Sequence, residues 1–136
     1  MEEERFLGID YGERRIGLAL SDPLFTFAYS YKTLKNDKDL WKNITAIINQ
    51  KNVTRVLLGM PDVKRNKSLA ENIFSFKKKL ETKFNIKVIT WNEEFTSAIA
   101  QERIIESVTK KKKRKDKGLI DRNSAAIILE EYLNSL

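Results

Sequence analysis

The sequence contains no cysteine and no histidine. Without cysteine there is no disulfide, no thiol nucleophile and no thiolate metal ligand. Without histidine the Ser-His-Asp constellation, an imidazole general base and the usual zinc sites are excluded as well. Any chemistry must run on carboxylates, lysines and hydroxyls, and the available metal is a hard cation such as Mg²⁺ or Mn²⁺. A long apolar run is also missing, since none reaches the ~18 residues that a membrane span requires. The opening MEEER is acidic and leads into a strand-like run, unlike a signal or transit peptide. These features predict a cytoplasmic protein with no membrane partner.

What is present fits one globular domain over residues 1–136, long enough to bury a core, with 41% hydrophobic and 33% charged residues. The formal net charge is +7, yet Lys110–Lys117 (KKKKRKDK) alone carries +6, leaving +1 for the remainder. There are no internal repeats and no linker composition.

Apolar periodicity predicts strands over Arg5–Asp10, Arg15–Ser21 and Thr26–Lys32, with Gly12 and Asp22-Pro23 in the turns. Leu40, Ile44, Ile47 and Ile48 put a helix over Asp37–Lys51. Val53–Leu58 reads as a buried strand ended by a Gly59-Met60-Pro61 turn. Leu69, Ile73, Phe76, Leu80 and Phe84 form one stripe of a helix over Ser68–Phe84. A strand over Ile86–Trp91 follows, then helices over Thr96–Val108 and Ile120–Leu133. The order βββαβαβαα predicts an α/β protein: a five-stranded mixed sheet with helices on both faces, its later strands parallel to the first.

Asp10 is the odd residue in this pattern, because strand interiors disfavour Asp and a buried carboxylate is costly without a partner. In open α/β sheets, sites form at the carboxyl ends of strands. Asp10 ends the first strand, Glu93 and Glu94 follow the strand Ile86–Trp91, and Asp121 opens the last helix on the face it shares with Ala125, Ile128, Leu129 and Tyr132. Three converging carboxylates repel one another unless they are protonated or neutralised by cations, and a divalent metal does this economically. Each acid also has a purely structural reading. Asp121 suits an N-cap, Glu93 or Glu94 suits a first helical turn, and Asp10 suits a turn cap. The basic run suits a solvated loop.

Four stretches, GIDYGERRIGLALSD, LLGMP, WNEEFTS and IDRNSAAIILEEYL, resemble the YqgF/RuvX family of RNase H-like proteins, in order and almost end to end. Members of that family are described as Holliday junction resolvases and as pre-16S rRNA nucleases. The resemblance implies an RNase H-like fold and a nuclease whose catalytic and metal-binding acids are Asp10, Glu93 and Asp121. Asn92 and Glu94 stand where the family usually has an acid and an arginine. The stretch after Pro61, DVKRNKS, lacks the glycine-containing pattern common there.

The expected activity is hydrolysis of nucleic-acid phosphodiester bonds with one or two Mg²⁺ or Mn²⁺ ions, a pair being ~4 Å apart. The resemblance points to the 5′ end of pre-16S rRNA and a pre-ribosomal particle, with a DNA junction in recombination as the alternative. Arg14, Arg15, Lys64 and Arg65 are candidate nucleic-acid contacts, as are Lys110, Lys111, Lys112, Lys113, Arg114, Lys115 and Lys117 just before Asp121. A junction resolvase is expected to be a homodimer, whereas an rRNA nuclease can be a monomer. Two other classes share these features. G-x-D-x-G is also the phosphate hairpin of actin- and sugar-kinase-like ATPases, which need two such domains. A non-catalytic RNA-binding assembly factor could keep the same fold.

Overall fold

A computed structural model describes residues 3–61, 64–93 and 117–136, except for the side chains of 117–121. Its elements are β1 (Arg5–Tyr11), β2 (Arg15–Ser21), β3 (Ala28–Lys35), α1 (Leu40–Gln50), β4 (Val53–Met60), α2 (Lys67–Lys83), β5 (Lys87–Asn92) and α3 (Lys117–Asn134). The strands form one five-stranded sheet in the order β3-β2-β1-β4-β5. β1 is antiparallel to β2 and β2 to β3, whereas β4 is parallel to β1 and β5 to β4. The expected helix over Thr96–Val108 and the basic residues 110–116 lie outside the described residues.

The chain steps from β1 to β4 to β5 in one direction, so right-handed crossovers put both intervening helices on one face of the sheet. On that face Leu40, Ile44, Ile47 and Ile48 of α1 and Ala70, Ile73, Phe76 and Leu80 of α2 are buried. They pack with Leu7, Ile9, Leu18, Leu20, Val56 and Leu58 in the larger core. Burial of each leucine, isoleucine, valine or phenylalanine among them is worth about 1.5–3 kcal/mol before conformational entropy is counted. The start of α2 is closed by Asn66, whose side chain accepts the Leu69 N–H at 3.2 Å. The opposite face is left to α3. There Ala125, Leu129 and Leu133 pack with Phe6, Ala19 and Leu57 in a second, smaller core.

Several boundaries differ from the sequence reading, and α3 begins at Lys117, so Asp121 lies inside the helix and neither opens nor N-caps it. β3 begins at Ala28 because the turn before it is longer than a tight hairpin. The carboxylate of Asp22, 8% exposed, accepts hydrogen bonds from Thr26 N–H (2.7 Å), Thr26 Oγ1–H (2.6 Å) and Phe27 N–H (2.9 Å). α1 begins at Leu40 because Asp37 spends its side chain on the Asp39 N–H at 3.0 Å, a local turn that competes with helix. Finally, Gly59 and Met60 belong to β4 and do not form the turn that ends it.

Candidate functional site

The β1–β2 hairpin places the first acid. A Cβ on Gly12 would lie 2.5 Å from the carbonyl oxygen of Arg15, so only glycine allows the turn to close this tightly. Asn36, after β3, pins that turn by donating its Nδ2–H to the Gly12 carbonyl and its backbone N–H to the Arg14 carbonyl, both at 2.9 Å. In this register Asp10 lies opposite Gly17. Its chain neighbours Ile9 and Tyr11 both pack on the α1–α2 side. Strand alternation therefore turns Asp10, half-buried, toward the α3 side.

Glu93 follows β5 directly, and its carboxylate reaches back across β4. A Cβ on Gly59 would lie 2.7 Å from Glu93 Oε1, 3.3 Å from Glu93 Cγ and 2.8 Å from Ile128 Cδ1. Glu93 thus occupies the space a side chain would fill, beside α3. Ile9 pairs with Leu58, so one residue further along come Asp10 on β1 and Gly59 on β4. These are neighbours on adjacent parallel strands, about 4.8 Å apart, and they present the same face. The seat over Gly59 therefore brings the Glu93 carboxylate alongside the Asp10 position.

Helix α3 runs opposite to β1. Tyr132 sits on Phe6 with ring centroids 5.6 Å apart. Next along, a Cβ on Gly8 would meet Leu129 Cβ at 3.0 Å and the Ala125 carbonyl oxygen at 3.1 Å. One helical turn before Ala125, the α3 backbone carries Asp121, whose side chain lies outside the described residues. Among the described residues no group of three acids is gathered tightly enough to hold a metal ion. Asp10 and Glu93 are thus brought to one face, and Asp121 is placed by its backbone alone.

The basic candidates separate into groups. Arg14 and Arg15 line a depression of about 400 Å³ together with Asn66 and Leu69, which sets the hairpin turn beside the start of α2. Lys64 and Arg65 immediately precede Asn66 in the chain. Lys110, Lys111, Lys112, Lys113, Arg114 and Lys115 lie outside the described residues, while Lys117 contributes the first backbone position of α3. Arg122, next to Asp121, donates from Nη1 to Thr33 Oγ1 at 3.3 Å and ties α3 to β3.

Sequence reading placed Gly59 in a turn and did not single out Arg122. The signal for Gly59 was a glycine inside an otherwise unbroken apolar strand, where close approach of another group is the usual cause. Arg122 carried no comparable signal, because only the packing of α3 on β3 shows where it reaches.

This five-stranded mixed sheet with helices on both faces is an RNase H-like fold. It is shared with the fowlpox virus resolvase solved with Holliday junction DNA, at a TM-score of 0.60 and 18% identity, over 96% of this chain and 97% of that one. It is shared too with T. thermophilus RuvC in complex with a Holliday junction substrate, at 0.56 and 13%, over 97% and 94% of the two chains. The RuvX family, described as Holliday junction resolvase, matches residues 4–135, and the chain belongs to that family. A relative in Desulforamulus reducens is 34% identical over 136 residues, covering 96% of this chain and 97% of its own. Another, in Azobacteroides pseudotrichonymphae, is 39% identical over 138 residues, covering 97% of each. Both carry the name "Putative pre-16S rRNA nuclease".

Proposed function

We propose that this protein is a metal-dependent endonuclease that hydrolyses phosphodiester bonds, cutting precursor 16S rRNA at its 5′ end during ribosome biogenesis in the cytoplasm. Family membership and the names of the relatives support the reaction class, and those names favour RNA over DNA. The observation that carries the reading at the site is the seat over Gly59, which admits the Glu93 carboxylate beside the Asp10 position. Gly59 leaves room for the Glu93 carboxylate and for Ile128 of α3 at the expense of strand stability.

Asp10, Glu93 and Asp121 would hold one or two Mg²⁺ or Mn²⁺ ions. The donor set fits, because it is all carboxylate and the chain offers no histidine or cysteine to favour a softer ion. The bound metal supplies an activated water and charge stabilisation at the leaving oxygen. Asp10, on a central strand, and Glu93, seated against β4, are both held by rigid elements, which keeps the donor set preorganised. Arg14, Arg15, Lys64 and Arg65 bind phosphates flanking the cut, and the basic run 110–117 adds sequence-independent, salt-sensitive affinity.

The test is cleavage of precursor 16S rRNA and of a four-way DNA junction side by side with Mn²⁺, using wild type and Asp10→Asn. The expected result is a defined cut near the 5′ end of the RNA by wild type alone. Cutting of the junction only would move the substrate to DNA. Salt-dependent RNA binding with no cleavage of either substrate would overturn the nuclease reading in favour of an assembly factor.

A further inference from the structure

Away from the acids, the α1–α2 face of the sheet holds a depression of about 230 Å³ at the C-terminal end of β1. Three aromatic rings wall it: Tyr11 from β1, Trp41 from α1 and Phe76 from α2. Phe76 stands between the other two, its ring centroid 5.1 Å from that of Tyr11 and 5.0 Å from that of Trp41. Phe76 is buried, whereas Tyr11 and Trp41 are half-buried and offer ring surface to the depression.

Asn36, Asn72 and Lys79 supply its polar rim, and no carboxylate is among its described lining residues. Asn36 spends its Nδ2–H on the Gly12 carbonyl at 2.9 Å, which leaves its Oδ1 as an acceptor without a partner among the described residues. The side-chain amide of Asn72 has no hydrogen-bond partner among them either. Lys79 Nζ lies 4.5 Å from the Trp41 ring centroid and forms no ion pair with any described residue.

Size, charge and edge chemistry together select the occupant. Sites for drug-sized ligands measure about 300–1,000 Å³, so this depression suits a smaller, single-fragment group. A cation, the usual guest of an aromatic cage, is repelled because Lys79 already holds that place over Trp41. A planar ring whose edge mixes donors and acceptors matches the two amides, as when Asn pairs with adenine. A phosphate attached to that ring would draw Lys79 off the indole. Stacking of the base then replaces an exposed cation–π contact, which is the weaker of the two.

We propose that this depression binds a nucleobase: the base stacks on Trp41, the amides of Asn36 and Asn72 bond its edge, and Lys79 meets its phosphate. A free nucleotide and an unpaired base of a strand share this chemistry. Tyr11 packs on the sheet face opposite to that of Asp10, so base capture here does not rest on the nuclease reading.

The test is binding in EDTA, where metal-dependent cleavage cannot occur and the fate of the nuclease reading does not affect the result. Tryptophan emission is followed as AMP or a single-stranded octamer of adenylate is added to wild type and to Trp41→Phe. Adenine should quench the emission of wild type. The quenching should vanish in Trp41→Phe, which keeps a ring at the site and leaves Trp91 as the remaining tryptophan. Quenching by AMP assigns the site to free nucleotides as well, and quenching by the octamer alone assigns it to a base within a strand. Quenching by neither, or equal quenching in Trp41→Phe, overturns the proposal. Affinity for the octamer, read by anisotropy of a labelled strand across a series of KCl concentrations, is the second readout. The double variant Asn72→Ala/Lys79→Gln changes only exposed side chains of α2 and should bind about 2- to 10-fold more weakly. Its slope of log affinity against log salt should fall by about 0.7, the share of one phosphate contact. Phe74→Ala, exposed on the same helix but outside the depression, should bind as wild type does. Wild-type affinity in the double variant, or an equal loss in Phe74→Ala, overturns the proposal.

Discussion

Glu93 and Gly59 are matched as side chain and seat: Glu93 Oε1 lies 2.7 Å from where a Cβ on Gly59 would stand. Gly59→Ala must therefore move Glu93, Ile128 or both, because Ile128 Cδ1 is 2.8 Å from the same point. Overpacking of this kind costs about 1–3 kcal/mol. Displacing a catalytic carboxylate by about 1 Å can cost on the order of 10²-fold in rate. The expected outcome is a protein that still unfolds cooperatively but cleaves about a hundredfold more slowly, measured by urea unfolding beside single-turnover cleavage. Unchanged cleavage would remove Glu93 from the catalytic set.

Metal affinity can be read without a substrate. If Asp10 helps to bind Mg²⁺ or Mn²⁺ in the folded state only, a hundredfold excess of metal over its Kd stabilises the protein by about 2.7 kcal/mol. For a domain of this size that corresponds to a rise in Tm on the order of 10 °C. The rise should be present in wild type and absent or much smaller in Asp10→Asn. Equal rises in the two proteins would place the metal elsewhere.

Asp22 predicts a pH dependence that belongs to the fold and not to the reaction. Burial pushes its pKa up, but hydrogen bonds from Phe27 N–H, the Thr26 hydroxyl, Thr26 N–H and Leu24 N–H outweigh this and hold it below 3.8. The folded pKa is thus depressed, so the stabilisation is fully present above pH 3.8 and is lost as pH falls through the folded value. Asp22→Asn should cost about 1–3 kcal/mol at neutral pH. That difference from wild type should shrink below pH 3.8, as followed by urea unfolding at each pH.

Gly8 tests the contact that carries α3. A Cβ there would stand 3.0 Å from Leu129 Cβ and 3.1 Å from the Ala125 carbonyl oxygen, neither of which is the tip of a flexible chain. Gly8→Ala should therefore lift α3 from β1 and destabilise the protein by about 1–3 kcal/mol. Chemical denaturation measures this directly, and a neutral result would mean that the helix is free to shift.

The linear pattern already contained much of this architecture. The apolar runs Arg5–Ile9 and Ile16–Leu20, the helical stripes of Leu40–Ile48 and Leu69–Leu80, and the order of the elements were enough to deduce a mixed sheet with helices on both faces. Local periodicity is a property of neighbouring residues, so it survives without tertiary information. The oddity of Asp10 was legible for the same reason, since an acid in an apolar strand contradicts its own neighbourhood. The absence of cysteine and histidine confined the chemistry to carboxylates before any geometry was known.

Contacts between residues distant in the chain needed the tertiary structure. That Glu93 lies over Gly59, that Arg122 reaches Thr33, and that Arg15 stands opposite Lys35 all depend on strand order, register and the angle of α3. Those features are set by the packing of two cores against one sheet, with no local signature in the sequence. The start of β3 was likewise decided by the Asp22 hydrogen bonds to Thr26 and Phe27, which outcompete an earlier strand in a way that β propensity alone does not reveal.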